Sequence, residues 1–542
     1  MLSLLYAILT LPLIAALPND HPLQIRNNGG LTVYTKAGSL IGTLLPTFGQ
    51  EFFGGIRYAA IPKRFEPPKP ATAWNGTFDA TNFTAACWGQ GNRAFNQSED
   101  CLSLNIIRPA GTSQYSNLPV LLWAHGGGFW GGSGIDQQAN GSYLVQSSVE
   151  AGQPIIFISI NYRLLSLGFP SGPEAHKAGI ENLGLLDQRA ALQWVQENIA
   201  DFGGDKSRVT FQGESAGGTS IVQHLVAYGG RDDKLFSAAI IESGSFYNLS
   251  CAHDINAIHD KNYAKLLNET GCANLDCLRT LDIGKLYNAS LKYYDQFLPS
   301  IDGKMFTKHP AESWSEGNFI KMPLLMGTNQ DEGSILSVLG RNNDTALISG
   351  ITSQNGTSYT MRNSTFPALL AAYPNDPAQG VPLGTGRGLL ASGTMDKRSN
   401  VMFGDAIEDS PRRWITGLMA ATGQPTYAYL FRQVPYMTPI SIGSTHAVEV
   451  SYVFGDPTKT KFDPSGADET LSKVMRNAWT AFAANHNPNR NGVPYWPDYR
   501  SDMSFMSLAI NASVAQPDTY RQEGIDIWIQ ERIVGCSGLS NP

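Results

Sequence analysis

Short runs of apolar and β-branched residues alternate with longer segments of helical periodicity over most of the chain. Six short runs are each followed by turn residues and then by a helical pattern: Pro119 to Trp123, Ile155 to Ile160, Arg208 to Gln212, Ala238 to Ile241, Pro323 to Met326 and Thr426 to Phe431. Between the second and third runs, Leu183 to Ile199 has helical spacing and is followed by Gly203-Gly204, which predicts a crossover helix. The alternation predicts an α/β fold with a large, mostly parallel central sheet and helices on both faces.

The chain has 542 residues, which exceeds the usual size of a domain built around one hydrophobic core. No Pro/Ser-rich linker, repeat or charge block marks a domain boundary, so we predict one catalytic domain over residues 17–542 with large loop insertions. The polar, glycine-rich region 341–388 is interpreted as a surface excursion.

The first 16 residues are apolar, end in small residues and precede a polar Pro-Asn-Asp-His-Pro segment. We interpret residues 1–16 as a cleaved signal peptide, with a membrane anchor as the alternative. No other segment is apolar enough to span a bilayer, so we expect no stable membrane insertion.

Asn-x-Ser/Thr acceptor sequences are more frequent than random pairing gives, which predicts a secreted, extracellular glycoprotein with N-linked glycans. The candidate sites are Asn75, Asn82, Asn96, Asn140, Asn248, Asn268, Asn288, Asn343, Asn355, Asn363 and Asn511.

The six cysteines form no C-x-x-C pair and have no paired histidine spacing, which favours disulfides over a metal site. Proximity suggests Cys87–Cys101 and Cys272–Cys277. Cys251 and Cys536 are then left to pair with each other or to stay free.

Charged residues make up only 16% of the chain, and the formal net charge is −7. No basic run is long enough to bind phosphates, which argues against nucleic acid as a partner. A small-molecule or neutral partner is favoured.

Residues 209–218 (VTFQGESAGG) are typical of a buried strand that enters a sharp turn and then a helix, with Ser215 at the apex. Such a turn exposes a serine hydroxyl to a base and to donors for the oxyanion that it creates. The G-x-S-x-G pattern also occurs by chance in a glycine-rich chain, so its context decides the interpretation.

A glycine cluster, residues 125–129 (HGGGF), follows the run that ends at Trp123. Consecutive glycines let backbone N–H groups face a ligand, as an oxyanion hole requires. We assign these donors to Gly127, Gly128 and Ala216; a flexible turn is the alternative.

The base is expected after the serine and the acid in chain order. His446 follows a turn just beyond the run Thr426 to Phe431, whereas His486 follows a helical segment and is interpreted as a capping or surface residue. His446 is therefore the favoured base. Asp331 and Glu332 both follow the run Pro323 to Met326, and spacing alone does not choose between them.

At this point the chain resembles the cholinesterase, type B carboxylesterase and fungal lipase family over nearly its whole mature length. Besides residues 213–218 (GESAGG), the matching motifs are residues 55–58 (GIRY), 65–68 (FEPP), 98–102 (SEDCL), 161–163 (NYR), 182–188 (NLGLLDQ), 302–303 (DG), 329–333 (NQDEG), 453–455 (VFG) and 496–497 (WP). The resemblance implies an α/β-hydrolase fold, Glu332 as the acid, His446 as the base, and Glu214 and Ser243 as supporting polar groups. It calls for no metal or cofactor.

The resemblance implies a serine carboxylic ester hydrolase that forms an acyl-enzyme, acting on a small-molecule ester. We expect soluble short to medium acyl or aryl esters. The alternatives are a long-chain lipase or sterol esterase and, from another class, a catalytically silent adhesion protein of the same family.

The chain departs from the family in the segment between Cys87 and Cys101, where only thirteen residues intervene. The family usually has a longer loop there, which acts as a lid or carries a substrate-stacking aromatic residue. We therefore predict an uncovered gorge. Trp88, Phe129 and Trp130 are candidates for its walls, with core packing as the alternative for Trp88.

Overall fold

The structure is a computed structural model that describes residues 31–246, 255–294, 297–352, 361–362, 364–458 and 461–536. Within these ranges the strands are β1 (Thr32–Thr35), β2 (Gly38–Ile41), β3 (Thr43–Leu45), β4 (Gln50–Arg57), β5 (Thr77–Asp79), β6 (Ser103–Pro109), β7 (Leu118–Ala124), β8 (Ile156–Ile160), β9 (Gly204–Glu214), β10 (Ala238–Glu242), β11 (Leu324–Asn329), β12 (Thr426–Phe431), β13 (Ser504–Leu508) and β14 (Val514–Pro517).

The α-helices of the described residues surround the sheet and vary widely in length. They are α1 (Ser142–Glu150), α2 (Leu165–Gly168), α3 (Pro173–Ala178), α4 (Leu183–Asn198), α5 (Ala216–Gly230), α6 (Ile255–Thr270), α7 (Leu275–Thr280), α8 (Ile283–Leu291), α9 (Pro310–Ser315), α10 (Gly333–Leu336), α11 (Asp344–Thr352), α12 (Thr365–Ala372), α13 (Asp396–Gly404), α14 (Ser410–Ala421), α15 (Val450–Phe454), α16 (Ala467–Asn485), α17 (Tyr499–Asp502) and α18 (Gln522–Cys536).

The large sheet has the strand order β14-β13-β12-β11-β10-β9-β7-β8-β6-β4-β3. Strands β8, β7, β9, β10, β11, β12 and β13 pair in parallel, while β6, β4, β3 and β14 add antiparallel edges. A mostly parallel α/β sheet is thus confirmed, and the six predicted runs correspond to β7 through β12. The predicted crossover helix is α4.

Alternate residues of the central strands face two different apolar layers, as the pleat of a strand requires. On β8, Ile156 and Ile158 belong to one buried cluster and Phe157 to the other. Helices α4 and α5 cover the first layer, and α15 and α16 cover the second. Both faces of the sheet are therefore buried, which explains why the parallel strands are continuous apolar runs.

The region 341–388 contributes α11 and α12 to a smaller apolar cluster of its own, together with α13 and α18. This cluster includes fully buried Leu347 and nearly buried Trp528. The region that the sequence predicts as a surface excursion therefore contains two packed helices, which its polar composition does not indicate.

Two of the suggested disulfides are present, Cys87–Cys101 and Cys272–Cys277. Cys251 lies outside the described residues, so its pairing with Cys536 stays a prediction. The segment 1–16 lies outside them as well. In the parts of the chain that the structure describes, no helix combines the length and apolar character needed to cross a bilayer.

Most of the candidate glycosylation sites that the structure describes lie on the surface. The exposed asparagines are Asn75, Asn82, Asn96, Asn268, Asn288, Asn343 and Asn511. Asn140 is half-buried, while Asn248, Asn355 and Asn363 lie outside the described residues.

Candidate active site

Ser215 occupies a sharp turn between the end of β9 and the start of α5. Its backbone has φ 53° and ψ −121°, a conformation that non-glycine residues rarely adopt. The Ser215 N–H donates to the Glu242 carbonyl at 2.9 Å, which ties the turn to the neighbouring strand β10. Strand, strained turn and helix follow one another as the sequence motif predicts.

The glycines around Ser215 are required by close backbone contacts. A Cβ on Gly217 would lie 2.1 Å from the Ala124 carbonyl oxygen, and a Cβ on Gly213 would lie 2.5 Å from the Gly217 carbonyl carbon. Real Cβ atoms do not approach backbone this closely. The spacing of the G-x-S-x-G motif therefore reflects how tightly α5 crosses β7 and β9.

The glycine cluster at the end of β7 passes directly beside the serine. A Cβ on Gly126 would lie 2.9 Å from the Ser215 Cβ and 2.5 Å from Oε2 of Glu214. Gly127 and Gly128 have φ angles of 93° and 62°, which glycine adopts without strain. This loop carries bare backbone up to the nucleophile candidate, where N–H groups can face a reacting carbonyl.

A hydrogen-bonded chain joins Ser215, His446 and Glu332. His446 Nε2 lies 2.9 Å from Ser215 Oγ, and His446 Nδ1 lies 2.6 Å from Glu332 Oε2. These three residues come from the ends of β9 and β11 and from the loop after β12, which adjoin at the carboxyl edge of the sheet. The geometry is that of a base poised to take a serine proton.

The second oxygen of Glu332 is held from two sides. Ser243 Oγ donates to Glu332 Oε1 at 2.6 Å, and the Asn329 N–H donates to the same oxygen at 2.7 Å. The carboxylate is thereby fixed in a single orientation toward His446. Ser243, a supporting group in the family resemblance, here contacts the Glu332 carboxylate.

Opposing effects act on the pKa of His446. Burial lowers the pKa, but the charge of Glu332, its hydrogen bond and the charge of Glu214 outweigh burial and raise the pKa well above its ordinary value. Glu214 Oε1 lies 3.4 Å from His446 Nε2. The surroundings thus favour the imidazolium that forms when the serine gives up its proton.

Asp331, the alternative acid, binds backbone N–H groups of two other loops instead of the imidazole of His446. Its Oδ1 accepts from the Leu383 N–H at 2.9 Å and its Oδ2 from the Ser444 N–H at 2.8 Å, two residues before His446. His486, the alternative base, ends α16 with positive φ, and its N–H donates to Phe482, as expected of a capping residue.

The three aromatic candidates differ in their surroundings. Phe129 is fully buried and packs edge-on against Phe169, so it belongs to the apolar core rather than to a pocket wall. Trp130 covers Gly128, whose added Cβ would lie 2.3 Å from the indole ring. Trp88 lines a separate, shallow surface pocket, whose described lining residues do not include Ser215 or His446.

The segment closed by the Cys87–Cys101 disulfide is attached to the chain that follows the glycine cluster. The Gln90 N–H donates to the Trp130 carbonyl at 2.6 Å, and Asn92 Nδ2 donates to the Gly132 carbonyl at 2.8 Å. The segment is therefore held by hydrogen bonds against the chain that directly follows the glycine cluster.

Three buried glutamates near Ser215, His446 and Glu332 carry no sequence motif that singles them out, namely Glu242, Glu408 and Glu449. Glu449 accepts from Asn329 Nδ2, and the signal available in the sequence was its position three residues after His446. Glu242 accepts from Gln212 at 2.6 Å and from Trp479 at 3.0 Å, contacts that no sequence motif announces. Among the described residues, no group of three or more His, Cys, Asp or Glu side chains is arranged to hold a metal ion.

Glu242→Gln is expected to stabilise the protein more at high pH than at low pH. Burial, together with the charge of Glu449, raises the pKa of Glu242 from 4.5 to about 8. The folded state therefore favours the protonated carboxyl, and stability is lost as the pH rises from 4.5 through about 8. Glutamine keeps the acceptor oxygen and does not ionise, so the gain should reach about 1 to 4 kcal/mol above that range.

Thermal unfolding at about pH 5 and about pH 9 measures this difference, with the exposed Glu523→Gln as a control for net charge. An equal change in stability at both pH values would contradict the prediction.

Comparison with known proteins places this site in a family. Residues 30–528 match the carboxylesterase family model. Secreted lipase 1 of Botryotinia fuckeliana (strain B05.10) is 32% identical over 555 residues, with 94% of each chain covered. Acylcarnitine hydrolase of Mus musculus is 31% identical, covering 92% of this chain and 89% of its own.

Solved structures agree with these sequence relatives. The crystal structure of EstA from Aspergillus niger superposes with a TM-score of 0.81 at 25% identity, covering 94% of this chain and 99% of that one. A pNB esterase structure superposes with a TM-score of 0.75 at 29% identity, covering 92% of this chain and 100% of that one. The chain therefore belongs to the carboxylesterase family and is a carboxylic ester hydrolase with an α/β-hydrolase fold.

Proposed function

We propose that the protein hydrolyses soluble short to medium acyl or aryl esters through a Ser215–His446–Glu332 triad. The observation that carries this proposal is the continuous hydrogen-bond chain from Ser215 Oγ through both imidazole nitrogens to Glu332. No cofactor takes part in the proposed reaction.

In the first half of the reaction, Ser215 Oγ attacks the ester carbonyl carbon while His446 Nε2 takes its proton. The carbonyl oxygen becomes an oxyanion, which the backbone N–H groups of Gly127, Gly128 and Ala216 stabilise. Collapse of this intermediate breaks the ester C–O bond, and His446 returns its proton to the leaving alcohol.

In the second half, water replaces the alcohol. His446 takes a proton from the water molecule, whose oxygen attacks the acyl-enzyme, and the acid is released with Ser215 regenerated. Glu332 holds the imidazole in one tautomer throughout. Glu214, close to Nε2, favours the charged imidazole in both transition states.

The size of the substrate is inferred from the segment between the two cysteines of the Cys87–Cys101 disulfide. A segment bonded to Trp130 and Gly132 has little freedom to act as a lid. An uncovered site favours esters that reach it from solution rather than from a lipid surface.

A long-chain lipase is the second candidate function. The segment before His446 exposes Met437 and Ile440, with 69% and 65% of their surface accessible. Large exposed apolar side chains close to an active site are the feature expected of an enzyme that contacts lipid.

We also propose that the protein is secreted and carries N-linked glycans. The exposed Asn-x-Ser/Thr sites, the two disulfides and the names of the fungal relatives, among them a secreted triacylglycerol lipase of Gibberella zeae, support an extracellular location.

Ser215→Ala should lower kcat by about 10³- to 10⁶-fold because the nucleophile is removed while the fold is retained. Hydrolysis of p-nitrophenyl butanoate by purified wild type and variant measures the effect. Ser237→Ala, at the opposite end of β9 and β10, is the control and should retain activity. Substantial turnover by Ser215→Ala would refute the assignment.

A series of p-nitrophenyl esters from acetate to palmitate should give the highest kcat/KM for short and medium chains. The rate with tributyrin should rise smoothly through its solubility limit, because no lid has to open at the interface. A preference for palmitate and an abrupt rise at the limit would instead support the lipase, and Met437→Ser/Ile440→Ser should then reduce activity on emulsions only.

Protein secreted by a eukaryotic host should migrate faster on a gel after peptide-N-glycosidase treatment, since several exposed asparagines would lose glycans. Asn288→Gln should remove one glycan, and the half-buried Asn140 serves for comparison. Unchanged mobility of the treated wild type would rule out N-glycosylation.

A further inference from the structure

Glu408 lies in a π-helical segment, Asp405–Asp409, that interrupts the run of helix between α13 and α14. Such bulges redirect side chains and are frequent at functional sites. The same helix passes against Glu332, since a Cβ on Gly404 would lie 3.4 Å from the Cβ of Glu332. Glu408 follows Gly404 by one turn and so approaches the triad.

Glu408 differs from the other two acidic residues of this segment. Asp405 binds Tyr373 and Arg521, and Asp409 accepts from Thr328 Oγ1 at 2.8 Å. Glu408 is only 6% exposed, and its Oε2 is buried without a hydrogen-bond partner among the residues that the structure describes. A buried polar atom left unpaired in an otherwise paired segment requires an explanation.

The groups that act on Glu408 are those of the candidate active site. Burial, followed by the charge of Glu332, raises the pKa of Glu408 well above its ordinary value; the charge of Glu214 acts in the same direction, whereas His446 lowers the pKa. The raised pKa favours the protonated form of the Glu408 carboxyl, which can donate a hydrogen bond. When protonated at Oε2, the carboxyl has no acceptor within the described parts of the chain.

We propose that Glu408 is a specificity-determining residue that donates a hydrogen bond to a neutral oxygen of the ester substrate, close to the carbonyl that Ser215 attacks. The inference rests on the proposed function. It identifies the preferred substrates as alkoxy, hydroxy or oxo esters rather than simple alkyl esters.

The chemistry of the ligand follows from the charges around the residue. Glu332 lies nearby, and its charge would repel a carboxylate or phosphate on the substrate. A neutral carboxyl donates to an ether, hydroxyl or carbonyl oxygen without requiring a change of ionisation. Such an oxygen can belong to the acyl or to the alcohol portion of the ester.

Two isosteric ester pairs distinguish these portions. p-Nitrophenyl methoxyacetate and p-nitrophenyl butanoate differ by one ether oxygen on the acyl side; 2-methoxyethyl acetate and butyl acetate differ by one on the alcohol side. The measured quantity is the ratio of kcat/KM for the ether ester to that for the alkyl ester. The difference in intrinsic reactivity between the two esters of a pair cancels when this ratio is compared between wild type and variant.

Glu408→Met removes the donor at similar volume and should lower this ratio about 5- to 15-fold in one of the two pairs. Glu408→Gln keeps N–H donors and should retain the ratio to within about threefold. Glu408→Ala, which also lacks a donor, replaces the methionine variant if that variant does not fold. Active-site titration corrects each rate for the folded fraction.

An unchanged ratio in both pairs for Glu408→Met would overturn the inference, as would an equal loss with Glu408→Gln. A loss confined to 2-(trimethylammonio)ethyl acetate, compared with 3,3-dimethylbutyl acetate, would replace the neutral subsite by a cation site and overturn it too. Glu242→Gln, a buried carboxyl with partners of its own, should leave both ratios unaltered.

The measurements distinguish a wrong substrate range from a wrong assignment of Glu408. If wild type hydrolyses neither member of either pair, the proposed substrate range is wrong. If it hydrolyses both members and the ratios do not respond to the Glu408 variants, only the assignment of Glu408 is wrong.

Discussion

The site depends on one backbone conformation, that of Ser215 between β9 and α5. A non-glycine residue at φ 53° and ψ −121° is strained by about 1 to 3 kcal/mol and persists only if its surroundings allow no other conformation. The surroundings do so through Gly213, Gly217 and the Ala124 carbonyl, which leave no room for additional atoms. The strain is thus maintained by the packing of α5 onto two central strands, and the serine hydroxyl is presented to His446 as a result.

The parallel centre of the sheet could be predicted because strands buried on both faces are continuous apolar runs with turn residues after them. The antiparallel strands at the two edges of the sheet could not be predicted. Strand β4 contains Gly54 and Gly55 within a bulge, and β14 is largely exposed, so neither has the apolar or alternating pattern of a strand. Only the pairing with their neighbours makes these segments strands.

For the site, chain order and motifs select Ser215, His446 and two adjacent acids as candidates, and the structure brings Ser215, His446 and Glu332 together. The choice between Asp331 and Glu332 is a matter of where each side chain points, since Asp331 binds backbone N–H groups and Glu332 binds the imidazole. Glu242 and Glu408 carry no motif of their own. Glu242 ends β10 directly before Ser243, Glu408 lies far from the motifs in sequence, and the surroundings of both side chains arise from tertiary packing. A single sequence without its fold carries no signal for such residues.

The oxidation of Cys87 and Cys101 has a consequence for the glycine cluster as well as for the stability of the chain. The closed segment binds Trp130 and Gly132, which directly follow the backbone that passes beside Ser215. Ordering of that backbone is therefore linked to the redox state of the compartment in which the chain folds. In an oxidising environment the disulfide would form and the closed segment would support the backbone beside Ser215 at the same time. In reduced protein that backbone would lack this support.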